Sequence, residues 1–170
     1  MSPATKKQRI LGIDPGFGRT GFGIIEKVKG EWSLVDYGCI ETSTKDSFVE
    51  RIEELNLELE KVIKKYKPTH AGVEDLFFAK NVTTAVKVGQ ARGVILLTLR
   101  QARIPIYEFT PLQVKQSVTG YGRAEKGQLQ RMVKIILNVK KPITPDDAAD
   151  ALAVALTCGA SMKIIHRAHR

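Results

Sequence analysis

Apolar residues fall into short unbroken runs near the start of this chain and into three-to-four spacings further on. Ile10 to Ile13 is an apolar run that ends on a single acid, Asp14, with Pro15 and Gly16 directly after it. That pattern predicts a buried strand over Arg9 to Asp14 and a turn at its end. Gly21 to Val28 reads as a second strand, Lys29-Gly30 as a turn, and Trp32 to Ile40 as a third strand. Ser47 to Tyr66 predicts a helix, with Ile52, Leu55, Leu59, Val62 and Ile63 on one face. Thr69 to Glu74 is a short strand that again ends on acids. Asn81 to Arg100 predicts a long helix with a stripe of Val82, Ala85, Val86, Gly89, Gly93, Leu96 and Leu97. Glycine lowers helix propensity, so the pair four apart implies close packing there. The neighbour is either the sheet beneath or, the preferred reading, a second copy of the chain. Pro105 to Phe109 is a fifth strand. Helices follow over Pro111 to Val118, Glu125 to Leu137 and Pro145 to Cys158.

Three strands in a meander, followed by alternating helices and strands, give an α/β fold. It is a five-stranded mixed sheet with helices on both faces. The expected organisation is one domain over residues 9–160. A disordered basic extension over 1–8 precedes it, and a basic, frayed tail over 161–170 follows.

Charge narrows the partners. Lys and Arg number 27 against 18 acids, a net charge of +9, which favours a polyanion. No apolar h-region follows Met1 to Arg9, and no stretch reaches the ~20 apolar residues of a membrane span. Cys39 and Cys158 make no metal-spaced pair and are expected to be reduced. A cytoplasmic protein with no membrane contact is the expectation.

The acids stand out by position. Asp14 and Glu74 end two strands, and Asp147 and Asp150 stand three apart on one face of the last helix. If the two strands are parallel neighbours, all four carboxylates reach one sheet edge. Four converging carboxylates repel each other unless divalent cations hold them, and Mg²⁺ with oxygen ligands suits the set. Each acid also has a plainer reading. Thr144 with Pro145 and Asp147 has the form of a capping box, and Asp14 could cap the turn that follows it. Asp146 favours the helix start through the dipole alone, and Asp75 is expected to face away from Glu74.

Gly16-Phe-Gly18-Arg-Thr-Gly21 fits G-x-G-x-x-G literally, but a strand follows it instead of a helix. Asp14 would also repel a pyrophosphate. No nicotinamide or flavin cofactor is expected, and no P-loop is present. Phe77, beside Glu74, is read as a base-stacking aromatic and Phe78 as a core plug. Lys80, Lys87, Arg92, Lys115, Arg123, Lys126, Arg131 and Lys134 are candidates for a phosphate track. Lys115 and Lys126, flanking a glycine-rich loop, are the best placed near a scissile phosphate.

These stretches closely resemble the RuvC family of crossover junction endodeoxyribonucleases. The resemblance is carried by Gly12 to Gly16, Val73 to Asn81, Gly89 to Gly93, Val114 to Gln116, the Gly120 to Lys126 loop and Asp147 to Ala153, in family order. Gly12 to Gly16 alone would also suit actin-like ATPases, whose two lobes need a longer chain. The resemblance implies a ribonuclease H-like fold and resolution of four-way (Holliday) junctions by paired symmetric nicks, in homologous recombination and DNA repair. It implies two Mg²⁺ ions per subunit, with Mn²⁺ as a substitute, held by Asp14, Glu74, Asp147 and Asp150. Phe77 would be the stacking aromatic, and Lys115 and Lys126 the important bases. A homodimer built partly through the Gly89 to Gly93 helix, working with the RuvA–RuvB branch-migration complex, is also implied. The chain departs from the pattern by its start at Met1 to Lys7 and by the added acid Asp146. Some relatives carry His where Asp147 stands. A nuclease for RNA–DNA hybrids and a non-catalytic binder of branched DNA are the alternatives. The second gains nothing from clustered acids.

Overall fold

The computed structural model describes residues 8–76 and 82–168, with side chains through Met162. Strand β1 (Arg9–Asp14) lies at the centre of a five-stranded sheet of order β3-β2-β1-β4-β5. Strands β2 (Arg19–Val28) and β3 (Glu31–Glu41) join it as an antiparallel meander, and β4 (His70–Glu74) and β5 (Ile106–Phe109) run parallel to it. The apolar run of β1 is buried on both faces, as a central strand requires.

Alternation along β1 divides the core in two. Leu11 and Ile13 pack with Ile24 and Val73 beneath α1 (Phe48–Tyr66) and α2 (Val82–Gln101). Ile10 faces the other layer, made of α3 (Pro111–Thr119), α4 (Lys126–Ile136) and α5 (Asp146–Ala168). Helix α1 starts on a capping box between Ser47 and Glu50. Among the described residues no helix is long and apolar enough to cross a membrane.

Helix α5 sits unusually close to the sheet, for a reason visible in the strands below it. A Cβ on Gly12 would stand 2.0 Å from the Ala151 carbonyl oxygen, and one on Gly21 equally close to that of Asp147. Opposite them α5 presents Ala148, Ala151 and Ala155, all fully buried. Small residues on both sides let the backbones meet.

Two elements differ from the sequence expectation. Helix α5 runs to Ala168, past the expected end at Cys158. It starts at Asp146, one residue late for a Pro145 first turn, and the Asp147 carboxylate meets Arg19 instead of closing a box on Thr144. In α2, Ala91, Ile95, Thr98 and Leu99 face the core, while Val86 (55% exposed) and Leu97 (56%) face outward. The stripe read from the sequence is thus largely the outer face. Periodicity finds an apolar face but cannot say what covers it.

Candidate active site

Parallel pairing of Ile13 with Val73 leaves Asp14 and Glu74 side by side where β1 and β4 end. Both share parity with glycines that face α5, Gly12 and Gly72, so both carboxylates turn toward that helix. The first turns of α5 add Asp147 and Asp150 from above. Asp14 and Glu74 share a side-chain hydrogen bond, and Asp14 also feels the charges of Asp150 and Asp147. All four acids singled out in the sequence therefore meet at one sheet edge.

Their electrostatics are those of a cluster short of positive charge. Burial, followed by the charges of Glu74 and Asp150, pushes the Asp14 carboxyl from its ordinary 3.8 up to about 8. Burial also raises Glu74, although Lys115 and Lys126 pull against it, and burial raises Asp150 against Lys126. Lys126 Nζ lies 3.0 Å from Asp150 and 3.3 Å from Asp146. Burial acts to lower the Lys126 pKa, but these carboxylates outweigh it and leave the ammonium raised.

Four hard oxygen donors with no Cys or His among them fit a divalent cation such as Mg²⁺ better than zinc. Among the described residues, no group of three or more His, Cys, Asp or Glu side chains closes to metal-holding geometry. The carboxylates instead share a hydrogen bond and the cations of Lys126 and Arg19. The chemistry of the donors fits the metal; a closed ligand shell is not formed in this structure.

Arg19 was not singled out in the sequence. It stands 3.4 Å from Asp147 and 3.4 Å from Glu41. Its position in β2, opposite Glu41 on β3, comes from strand register, which a single sequence does not display. Asp146, expected only to favour the helix dipole, also pairs with Lys126 and accepts from Gln130 at 3.2 Å.

The basic candidates divide. The charges of Lys115 and Lys126 reach Glu74, and Arg123 is exposed on the loop between them. Arg92 does not lie free for a phosphate. Its Nε donates to the Glu74 carbonyl at 3.2 Å, and its Nη2 pairs with both Asp75, at 3.2 Å, and Glu108, leaving the side chain 14% exposed. Asp75 faces α2, away from Glu74 as expected, and supplies that partner. Arg92 clamps the end of β4 in place. Replacing it with Ala should cost about 2 kcal/mol of stability and slow cleavage roughly tenfold. The salt dependence of DNA binding should not change, because no phosphate contact is lost. Melting curves and binding titrated against salt check this; a smaller salt slope would return Arg92 to the DNA surface. Phe77 and Lys80 lie outside the described residues.

Comparison with known proteins decides the family. Residues 10–158 match the family described as Crossover junction endodeoxyribonuclease RuvC. The chain belongs to the RuvC family. It is 56% identical over 150 residues to the RuvC of Petrotoga mobilis, covering 88% of this chain and 92% of that one. With the RuvC of Halothermothrix orenii it shares 52% over 155 residues, covering 91% and 94%. A solved RuvC from T. thermophilus, in complex with Holliday junction substrate, superposes with a TM-score of 0.87 at 34% identity. The match covers 92% of this chain and 96% of that one. The expected ribonuclease H-like sheet is the fold of this RuvC-family chain, and its activity class is that of a metal-dependent nuclease.

Proposed function

We propose that the protein resolves four-way DNA junctions by nicking two opposite strands symmetrically, in the cytoplasm, during recombination and repair. The observation that carries the reading is the meeting of Asp14, Glu74, Asp147 and Asp150 on a buried sheet edge with Lys115 and Lys126 beside them. Asp14, Glu74, Asp147 and Asp150 would hold two Mg²⁺ ions, or Mn²⁺ in their place. Bound there, such ions supply an activated water and stabilise the departing 3′-oxygen, leaving 5′-phosphates. Asp14 feels the charges of Glu74, Asp150 and Asp147 and would be the natural shared ligand. Lys115 and Lys126 place positive charge where the scissile phosphate gains negative charge. Phe77 stacking on an unpaired base remains part of the reading on the strength of the family resemblance, as does cooperation with the RuvA–RuvB complex.

Paired nicks need two sites, and a two-fold dimer matches the two-fold junction. The outer face of α2 suits that role. Val86 and Leu97 are exposed, and a Cβ on Gly93 would meet nothing within 4 Å. Among the described residues, none covers this face around Val86, Gly93 and Leu97. Leu97→Glu is expected to yield monomers by light scattering and to weaken paired cutting while each subunit stays folded. A dimer unaffected by the change would move the interface elsewhere. The direct test of the function is a synthetic mobile junction incubated with the protein and Mg²⁺. Symmetric nicks at matching positions support it, and stronger cutting of RNA–DNA hybrids would overturn it.

A further inference from the structure

The turn between α3 and α4 is held more firmly than a linker needs. Gly120 closes α3 in the left-handed region at φ 76°, its N–H donating to the Gln116 carbonyl at 3.0 Å. The Gln116 amide returns to the Gly120 carbonyl at 2.9 Å. The Thr119 hydroxyl donates to the Lys115 carbonyl at 2.8 Å and accepts from the Tyr121 N–H at 3.1 Å. The Ala124 N–H donates to the Tyr121 carbonyl at 3.0 Å. At Gly122 a Cβ would stand 2.8 Å from a Leu112 methyl, so the turn lies flat against α3.

This fixed backbone presents an aromatic ring to water. Tyr121 is 58% exposed, and Leu112, against which the turn rests, is 61% exposed. A tight turn between two glycines needs no aromatic for its own stability. Polar residues serve there at lower cost in exposed apolar surface. The surroundings are cationic on the side of the active site. Arg123 follows and is exposed, Lys126 opens α4 against Asp150, and Lys115 lies one turn of α3 before Thr119. A flat apolar ring on a turn flanked in sequence by three basic residues matches a nucleotide, which has a π-face and a charged backbone.

We propose that Tyr121 stacks on an unpaired or unstacked base of the DNA strand running through the active site, with Arg123 on an adjoining phosphate. The inference rests on the junction-nuclease reading above and adds an aromatic contact from the turn between α3 and α4. Preorganisation of the turn is what makes the contact useful. The ring meets the base without first paying for the ordering of a loop.

The test uses junctions carrying 2-aminopurine at successive positions on either side of the cut, bound in Ca²⁺ so that the DNA stays whole. Wild type and Tyr121→Phe should quench one position. Tyr121→Ala and Tyr121→Leu should leave it bright, with junction binding in Tyr121→Ala weakened on the order of tenfold. The leucine variant keeps apolar cover without a π-face, so it separates stacking from packing, and melting curves for each variant record the fold. Equal quenching by wild type and Tyr121→Ala, or by Tyr121→Leu and Tyr121→Phe, overturns the contact. Cleavage by wild type in Mg²⁺ runs alongside. If wild type cuts junctions while no Tyr121 variant differs from it, stacking alone falls; if wild type cuts none, the reading beneath it falls too.

Discussion

Asp14→Asn should abolish junction cleavage, by at least about a thousandfold, while junction binding persists and the metal-free protein becomes more stable. The two halves of that result have one cause. Burial and the charges of Glu74 and Asp150 hold the Asp14 carboxyl up at about 8 against an ordinary 3.8. Across that interval the folded state keeps a proton that the unfolded chain releases. The stability associated with the neutral form is complete below about pH 4 and is lost as pH rises through about 8. An amide carries no such dependence and can still donate to Glu74. In EDTA, Asp14→Asn should match wild type near pH 4.5 and melt roughly 5 °C higher near pH 8. Mg²⁺ should then raise the wild-type melting temperature and have much less effect on the variant. Melts across this pH range decide the matter. A variant that melts lower at pH 8 would mean that Asp14 is held by a cation in the folded protein and not crowded by its neighbours.

Gly12→Ala should be a severely damaging small change in the sheet. The added methyl would stand 2.0 Å from the Ala151 carbonyl oxygen and 2.5 Å from the Ala155 nitrogen. Both are backbone atoms of a buried helix, so neither yields by changing a rotamer. Helix α5 must lift, opening the layer that contains Leu152 and Val154. A loss on the order of 3 kcal/mol is expected, equivalent to a drop of about 10 °C in melting temperature. Cleavage should fall further than stability alone predicts, because Asp147 and Asp150 travel with the helix. Urea unfolding and junction cleavage measured below the melting point check the two effects separately. Near-native stability would show that α5 can ride higher without penalty.

Much of this arrangement was legible in the sequence, and the residues show why. The apolar run from Ile10 to Ile13 gave β1 its limits because a strand buried on both faces has no other pattern to follow. Asp14 and Glu74 were conspicuous because an acid closing such a run has no solvent-facing excuse. The spacing of Asp147 and Asp150 set them on one helical face. What stayed hidden depends on contacts across the chain. Arg19 meets Asp147 through strand register, and Arg92 binds the Glu74 carbonyl at the end of β4, Asp75 just after it and Glu108 on β5. Glycines at 12 and 21 were read as strand residues. Their use as a floor for α5 becomes apparent only when the alanines of that helix are laid over them. The apolar stripe of α2 was legible, with a second copy as its preferred cover, but spacing alone does not separate that from the chain's own sheet; burial does, by turning Ala91, Ile95 and Leu99 inward and Val86 and Leu97 outward.

The docking of α5 on β1 has one more consequence. Two of the four acids arrive only with the last helix in chain order, after every strand has been made. On the reading proposed above, a chain synthesised only as far as its last strand still lacks two of the four carboxylates that would hold the metal. A product of interrupted translation would therefore be harmless to the chromosome, and the ability to break DNA arises in one late step, when the finished helix settles onto glycine.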